Sequence, residues 1–224
     1  MKLEKKSVYE LIPLAQELFD ELSEKISDGP FAFWEYINRI EQEGKQIREN
    51  IIQGKLEENV VIEGNLILGE GSVVRTGTRI EGNVFIGENC IIGPNAYLRG
   101  NTFIGNNCHI GICEIKNSII LKNTNIPHFS YVGDSILGEK VNFGAGTKVA
   151  NLRFDDLTVK VNLNKKIDSG RRKLGVLVGH NTKTGINSSI NCGIIIGNNC
   201  RIFPGKVVDR NLMDNEVFDN CSPS

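Results

Sequence analysis

The sequence predicts an all-β solenoid, a parallel β-helix of six-residue repeats, preceded by an α-helical appendage. Two observations support this fold class: an aliphatic residue recurs at every sixth position, and the chain combines 24 glycines with an aromatic content of only 7%. A period of six matches neither an α-helix, whose period is near 3.6, nor an isolated strand, whose period is 2. Abundant glycine and few large rings suit a narrow core with many tight turns.

An aliphatic column defines the repeat over nine consecutive hexads. Its members are Ile62, Leu68, Val74, Ile80, Ile86, Ile92, Leu98, Ile104 and Ile110. The fourth residue after each is usually small, as at Ser72, Cys90 and Cys108, and the next residue is often glycine, as at Gly69 and Gly93. Two inward positions per hexad indicate a coil with three flat faces, in which glycine supplies corner conformations that a Cβ would oppose.

The repeat continues in two further runs, which predicts about six or seven coils. These runs are Ile120, Ile126, Val132, Leu137, Phe143 and Val149, and then Val178, Thr184, Ile190, Ile196, Ile202 and Val208. Two interruptions separate them, one at residues 116–119 and one in a polar insertion at residues 150–175. Breaks in an otherwise regular solenoid are where functional residues are expected.

The chain therefore divides into three segments. We expect a helical N-terminal appendage over residues 1–58, the β-helix over residues 59–212 and a short polar tail over residues 213–224. The insertion at 150–175 forms a loop within the β-helix.

Two amphipathic helices are predicted within the appendage. The first covers residues 6–27 and ends at Gly29-Pro30, and the second runs from about Phe31 to Ile52. They could cap the open end of the β-helix, where unpaired strand edges would otherwise be exposed, and this is the interpretation that we favour. Binding of a partner is the alternative.

Composition excludes several classes of protein. A formal net charge of −1 argues against a nucleic-acid binder. The sequence shows no signal-peptide pattern and no apolar run long enough to span a bilayer. None of the six cysteines forms a CxxC pair, which argues against a zinc ribbon or a thioredoxin-type site. These features predict a cytoplasmic protein with reduced thiols, in which Cys90 and Cys108 are core residues.

The three histidines do not have the spacing of a metal site. His109, His128 and His180 are 19 and 52 residues apart and occupy unlike hexad positions. We therefore expect no metal. His128 falls at an outward, polar position of its hexad, beside the first interruption of the repeat.

Two cations are expected to lie near each other at that interruption. Lys116 falls eighteen residues after Leu98, so it either takes a slot meant for an aliphatic or forces a local slip, and Arg99 lies one coil below in the adjacent column. Stacked cations repel unless an anion lies between them, and a phosphate or diphosphate is the natural guest. The alternative is an ion pair with Glu114 or Glu81.

A family resemblance lies in the segment EIKNSIILKNTNIPHFSYVGDSILGEKVNFGAGTKVANLRFDD. It strongly resembles the acetyltransferase domain of the bifunctional glucosamine-1-phosphate acetyltransferase/N-acetylglucosamine-1-phosphate uridyltransferase. The match runs without a gap from Glu114 to about Asn151 and more loosely from Ile62 to Val208. The motifs HxxYxGD and NxGAGT are more specific than hexads alone. No glycine-rich nucleotide loop precedes Ile62, so the resemblance covers only the acetyltransferase half.

The resemblance implies a left-handed coil, a homotrimer with active sites between neighbouring subunits, and a set of site residues. His128 matches the general base. The residues that match sugar-phosphate ligands are Arg99, reached through a one-residue gap, Lys116, Tyr131 and Asn142. Those that match coenzyme contacts are Ala145, Asn151, Ile186 and Pro204. Ile186 and Pro204 differ in type from the family's small residues, so only their backbone contacts could carry over.

We thus expect acetyl transfer from acetyl-CoA to the amine of an amino-sugar phosphate, with glucosamine 1-phosphate as the acceptor, in UDP-N-acetylglucosamine-type biosynthesis. Three alternatives stay open: another amino sugar, a non-catalytic sugar-nucleotide-binding or scaffold protein, and helices that dock a separate uridyltransferase. Leu152 replaces a family tyrosine and favours the non-catalytic alternative, whereas His128 and Asn142 favour the enzyme. The Arg171-Arg172-Lys173 run could reach a coenzyme phosphate or form a solvated loop.

Overall fold

A computed structural model describes residues 6–219, and over this range the chain forms a left-handed parallel β-helix of about nine turns with a helical N-terminal region. The predicted fold class is confirmed. The helical region contains α1 (Val8–Leu11), α2 (Pro13–Asp28), α3 (Trp34–Glu43) and a 3-10 turn at Gly44–Gln46. Within the described residues, no helix is both long enough and apolar enough to cross a bilayer.

The strands before the insertion form six coils. They are β1 (Ile51–Ile52), β2 (Lys55–Leu56), β3 (Val61–Leu68), β4 (Val73–Val74), β5 (Arg79–Ile86), β6 (Ile91–Ile92), β7 (Tyr97–Ile104), β8 (His109–Lys116), β9 (Ile119–Ile120), β10 (Asn125–Gly133), β11 (Ile136–Leu137) and β12 (Lys148–Val149). The insertion forms an antiparallel hairpin of β13 (Lys160–Asn162) and β14 (Lys166–Asp168). The last coils contain β15 (Leu177–Val178), β16 (Lys183–Thr184), β17 (Ser189–Ile190), β18 (Ile195–Ile196), β19 (Arg201–Ile202), β20 (Val207–Val208) and β21 (Val217–Phe218).

Parallel pairing stacks these strands into three faces. Face A contains β1, the last residues of β3, β5 and β7, and then β9, β11, β15 and β18. Face B contains β2, β4, β6, the first residues of β8 and β10, and then β16, β19 and β21. Face C contains the first residues of β3, β5 and β7, the last residues of β8 and β10, and then β12, β17 and β20.

The interior is the core that the hexads predict. Every member of the aliphatic column from Leu68 to Ile110 is fully buried, and Ile62 packs against it partly buried. The small column is buried as well, including Cys90 and Cys108. The five described cysteines are free thiols, and Cys221 lies outside the described residues.

The explanation for the glycines needs correction. Of the two corner glycines named above, Gly93 has a positive φ of 89°, but Gly69 is needed because a Cβ there would lie 2.5 Å from the Gly87 carbonyl oxygen one coil away. Eleven glycines and ten asparagines of the described residues have a positive φ, and asparagine is the non-glycine residue that tolerates this conformation best. The asparagines are Asn59, Asn89, Asn95, Asn107, Asn117, Asn123, Asn181, Asn187, Asn199 and Asn215.

The predicted segment boundaries also differ from the structure. β1 and β2 lie inside the predicted appendage, and β21 lies inside the predicted tail, so the described chain has about nine turns instead of six or seven. In sequence Leu56 continues the aliphatic column by one hexad, but its side chain is exposed, whereas Phe218 is a buried core residue beyond the expected C-terminal limit. The predicted second helix ends at Glu43, well before Ile52.

The helices lie along face A, so the interpretation that they cap an open end is wrong. Their buried residues, among them Leu22, Phe33 and Ile37, form one hydrophobic cluster with Phe85 and Phe103 of face A. Hydrogen bonds also join the helices to three different coils. Tyr9 Oη donates to Asn106, Ser23 Oγ donates to Glu139, and Asn198 Nδ2 donates to the Ile26 carbonyl. The outward positions of face A are apolar and would otherwise be exposed to water.

Candidate active site

His128 lies at a bulge in β10. β10 pairs with β8 through His128↔Ile112 and then Tyr131↔Glu114, so β10 has one extra residue between these pairs. Phe129 occupies this point with a φ of 49° and is 67% exposed. Bulges of this kind redirect side chains and are common beside active sites. His128 is likewise exposed, as its outward hexad position predicts.

The glycine-rich segment Gly144-Ala145-Gly146 stacks directly on this bulge. The Gly146 N–H donates to the His128 carbonyl over 3.0 Å, and the Tyr131 N–H donates to the Thr147 carbonyl over 3.1 Å. Asn142 pairs with Asn125 one coil below. The structure therefore brings His128, Asn142 and Ala145 together on neighbouring coils near the corner between faces B and C.

A buried carboxylate, Asp134, organises the adjacent part of face C. Its side chain is 1% exposed, and it accepts from Lys116 Nζ at 3.0 Å and from Asn151 Nδ2 at 2.6 Å. Asn117 Nδ2 donates to it at 3.2 Å. A buried charge needs both a counter-charge and hydrogen bonds, and Lys116 and the two asparagine amides supply them to Asp134. The sequence contained this residue as the last letter of HxxYxGD, but hexad reasoning gave it no role.

Tyr131 belongs to the same cluster. Its phenolic oxygen accepts from Asn151 Nδ2 at 3.0 Å and keeps its own hydrogen for donation. Burial, and then the charge of Asp134, raise the pKa of Tyr131, so the phenol is protonated at neutral pH. Gly133 permits this contact, since a Cβ there would lie 2.5 Å from Tyr131 Oη.

Arg99 and Lys116 are register partners on adjacent strands, which resolves the interruption as a local slip. Ile115 takes the core position opposite Leu98, and Lys116 points away from the aliphatic column. The alternative of an Arg99–Glu114 ion pair is confirmed at 2.6 Å, with both side chains about one third exposed. Since each cation has a carboxylate partner, repulsion between them does not by itself demand an anion.

The expected coenzyme contacts fall in two places. Ala145, Ile186 and Pro204 lie on successive coils at one corner, where the Asn187 N–H donates to the Ala145 carbonyl at 2.7 Å and the Gly205 N–H to the Ile186 carbonyl at 2.8 Å. Asn151 instead directs its amide at Asp134 and Tyr131, and so lies with the expected sugar-phosphate residues.

A groove of about 630 Å³ runs along face B beside Asn142. Its lining is five asparagines and three cations: Asn123, Asn125, Asn142, Asn181, Asn199, Lys140, Lys183 and Arg201. None of the three histidines lines this groove. Burial lowers the pKa of His109, and nearby Arg75 and His128 lower it further, while His180 holds α2 against the β-helix through the Ser23 carbonyl at 3.1 Å. Over residues 6–219 no three His, Cys, Asp or Glu side chains are grouped to hold a metal.

The cationic run in the insertion is only partly as expected. Arg171 is 14% exposed and pairs with Glu41 of α3 at 2.6 Å, whereas Arg172 pairs with Asp156 on the exposed part of the insertion at 2.6 Å. Sequence reasoning missed the contact between Arg171 and the helical region, because nothing in a local pattern links residues 130 positions apart.

The chain is similar to known proteins over most of its length. Residues 80–218 match the family described as the GMPPB C-terminal domain. The chain belongs to this family. A bifunctional sugar-1-phosphate nucleotidylyltransferase/acetyltransferase of Sulfurisphaera tokodaii is 50% identical over 74% of this chain and 42% of its own length. A bifunctional protein GlmU of Methanococcus maripaludis is 58% identical over 73% of this chain and 40% of its own length.

The chain thus spans about two fifths of the curated relatives that it matches. The family match and these relatives together confirm the resemblance that the HxxYxGD and NxGAGT motifs predict. Among solved structures, the match to the polySia specific acetyltransferase NeuO covers 79% of this chain and 89% of that chain, at 14% identity and a TM-score of 0.36.

Proposed function

We propose that the chain is an N-acetyltransferase that transfers the acetyl group of acetyl-CoA to the amine of an amino-sugar phosphate, with glucosamine 1-phosphate as the acceptor. The observation that carries the proposal is the stacking of the glycine-rich segment on the bulge that exposes His128, joined by the 3.0 Å bond from the Gly146 N–H. Relatives named as bifunctional nucleotidylyltransferase/acetyltransferases support it.

His128 would act as the general base. The acceptor amine is protonated at neutral pH and cannot attack in that form, so it must first lose one proton to water. The amine nitrogen then forms a bond to the thioester carbonyl carbon while His128 takes the second proton from nitrogen, the carbon–sulfur bond breaks, and that proton passes from His128 to the leaving thiolate. No metal is needed for this sequence.

A backbone N–H would stabilise the oxyanion that forms during attack. The Gly144 N–H donates to the Thr184 carbonyl and the Gly146 N–H donates to the His128 carbonyl, each at 3.0 Å. Among the residues that the structure describes, the Ala145 N–H is therefore the member of this segment that remains for the substrate.

The acceptor would lie between face C and this corner. Tyr131 and Asn142 would orient the sugar. Arg99 is the better phosphate ligand, because its ion pair with Glu114 is about one third exposed and can open, whereas Lys116 is held by the buried Asp134. Lys116 would add its charge without leaving the cluster.

A homotrimer would complete the site, with His128 of one β-helix facing a coenzyme that lies along its neighbour. The helices cover face A, so faces B and C remain for neighbouring subunits. Both the acceptor residues and the coenzyme corner lie on these two faces, which supports this arrangement.

A non-catalytic sugar-nucleotide-binding protein is the second candidate. Leu152 occupies the place of a tyrosine in the related family and is 39% exposed, and the amide of Asn151 is already engaged by Asp134 and Tyr131. Both observations remove expected coenzyme contacts.

Thiol release separates the two candidates. The purified chain is incubated with acetyl-CoA and a panel of glucosamine 1-phosphate, galactosamine 1-phosphate and a nucleotide-linked amino sugar. Acceptor-dependent release with glucosamine 1-phosphate preferred supports the proposal, and preference for another acceptor changes only the substrate. Binding of a sugar nucleotide with no thiol release from any acceptor supports the second candidate.

A further inference from the structure

The helical region contacts the candidate site through one side chain of the insertion. Arg171 donates to both Glu41 carboxylate oxygens, at 2.6 and 3.2 Å, and to Asn38 Oδ1 at 2.5 Å, so its guanidinium is clamped to α3. The Nη2 atom that binds Glu41 also lies 3.7 Å from Asp134 Oδ1. Arg171 therefore lies between a carboxylate of the helical region and the buried carboxylate of the site.

The backbone of the insertion follows the same path. The Leu174 N–H donates to the Asn151 carbonyl at 3.0 Å, and the Gly175 N–H donates to the Asp134 carbonyl at 2.9 Å. The insertion thus returns to the β-helix directly over the residues that bind Lys116 and Tyr131. A guanidinium fixed at this place determines how the end of the insertion lies on Asp134.

We propose that Glu41 and Arg171 are positioning residues for the acceptor site, acting through the Asp134 carboxylate. The Asp134 oxygens fix Lys116 Nζ and the Asn151 amide, and Asn151 in turn fixes the Tyr131 phenol. The helical region is then a support for the acceptor site as well as a cover for face A. The proposal rests on the acetyltransferase function proposed above.

Charge explains why the contact should matter. Asp134 is buried, and its two cationic neighbours are Lys116 at 3.0 Å and Arg171 at 3.7 Å. Removing one cation from a buried carboxylate leaves its charge less compensated, so the remaining partner is drawn closer. Lys116 is that partner, and a lysine held more tightly by Asp134 is less available to a phosphate.

The test compares two arginine–glutamate pairs of equal length. Glu41→Gln and Arg171→Ala break the pair between α3 and the insertion, while Glu216→Gln and Arg210→Ala break the exposed pair of the last coil, also 2.6 Å long. For each variant we would measure kcat, the KM of glucosamine 1-phosphate, the KM of acetyl-CoA, and the Kd of glucosamine 1-phosphate by calorimetry. The double variant Glu41→Gln/Arg171→Ala completes a double-mutant cycle.

We expect Arg171→Ala to raise the KM and Kd of glucosamine 1-phosphate by about 3- to 30-fold, the range for side chains that act through a network. Glu41→Gln should lower both values by about threefold or more, because Arg171 released from Glu41 compensates Asp134 better and leaves Lys116 more available to the phosphate. The KM of acetyl-CoA should stay within about twofold, the double variant should resemble Arg171→Ala alone, and both control variants should resemble the wild type. Glu41→Gln changes no volume, so it remains informative if Arg171→Ala folds poorly.

Acceptor KM values for Glu41→Gln no different from those of Glu216→Gln would overturn the proposal, as would fully additive effects in the double variant. A wild type that binds glucosamine 1-phosphate without turnover removes the acetyltransferase function, but its Kd values still decide the role of Glu41 and Arg171. A wild type that neither binds nor turns over this acceptor overturns both.

Discussion

Phe103 tests whether face A holds the helical region in place. Its ring is 1% exposed, lies in the cluster shared with the helices, and stacks on Phe85 with 5.9 Å between centroids and 14° between planes. Replacing a buried phenylalanine by alanine costs about 3–5 kcal/mol. Here we expect this loss to lower the free energy with which the helices dock on face A. At a denaturant dependence of about 1–3 kcal/mol per molar urea, the docking transition should move by at least about 1 M.

Trp34 provides the assay, because it is the single tryptophan of the chain and lies 8% exposed in α3. Its fluorescence reports docking of the helices, while far-UV circular dichroism reports the β-helix. Phe103→Ala should lower the urea midpoint of the fluorescence transition and leave most of the strand signal unchanged.

The neighbouring Ile104 is the matched control, since its side chain is buried inside the β-helix and not under the helices. Ile104→Ala should lower the free energy of unfolding by about 2–5 kcal/mol, so the fluorescence and circular-dichroism midpoints should both fall together. If Phe103→Ala leaves the Trp34 transition unmoved, or if the two variants behave alike, docking on face A does not stabilise the helical region.

Four further predictions concern close contacts at the coils and the site, and the titration of Tyr131. Gly111→Ala should lower the free energy of unfolding by about 1–3 kcal/mol or more in urea titrations, because a Cβ would lie 1.8 Å from the Pro127 carbonyl oxygen of the next coil. Gly133→Ala should raise the acceptor KM with little change in the melting temperature, since the Cβ would meet only the ends of the Tyr131 and Asn151 side chains. Tyr131→Phe should raise the acceptor KM by about tenfold, the value of one lost hydrogen bond near a charge, and an unchanged KM would place the phenol outside the acceptor site. In the wild type, the raised pKa of Tyr131 should keep the acceptor KM free of any phenol titration up to about pH 10.

Much of the core could be predicted from the sequence, because each hexad places the same two positions in the same buried environment. The aliphatic and small columns, including Cys90 and Cys108, are buried where the period places them. The slip at Lys116 was visible as a broken phase, but its outcome depended on which residue the neighbouring strand would accept opposite Leu98.

The helical region could not be placed in the same way. An amphipathic pattern shows that a helix has a surface to bury, without showing which surface covers it. The outward apolar residues of face A, such as Phe85 and Phe103, were the available signal, because they interrupt the polar exterior of a solenoid. The asparagines at the corners were missed for a related reason. Asparagine and glycine both tolerate a positive φ, and only the backbone shows at which of their positions this conformation is adopted.

The site residues that could be predicted from the sequence are those that lie within the two motifs. The motifs contain His128, Tyr131, Asn142 and Ala145, and the structure brings these residues together near one corner. Asp134 and its contact with Arg171 depend on the insertion folding back onto face C, which no spacing within either segment encodes.

The central claim is that an exposed imidazole on the β10 bulge removes a proton from the acceptor amine. Its most direct test is single-turnover acetylation of glucosamine 1-phosphate by the wild type and by His128→Ala, both saturated with acetyl-CoA. We predict a loss of about a hundredfold or more in the rate of the variant. A His128→Ala rate within a few-fold of the wild type would contradict the account.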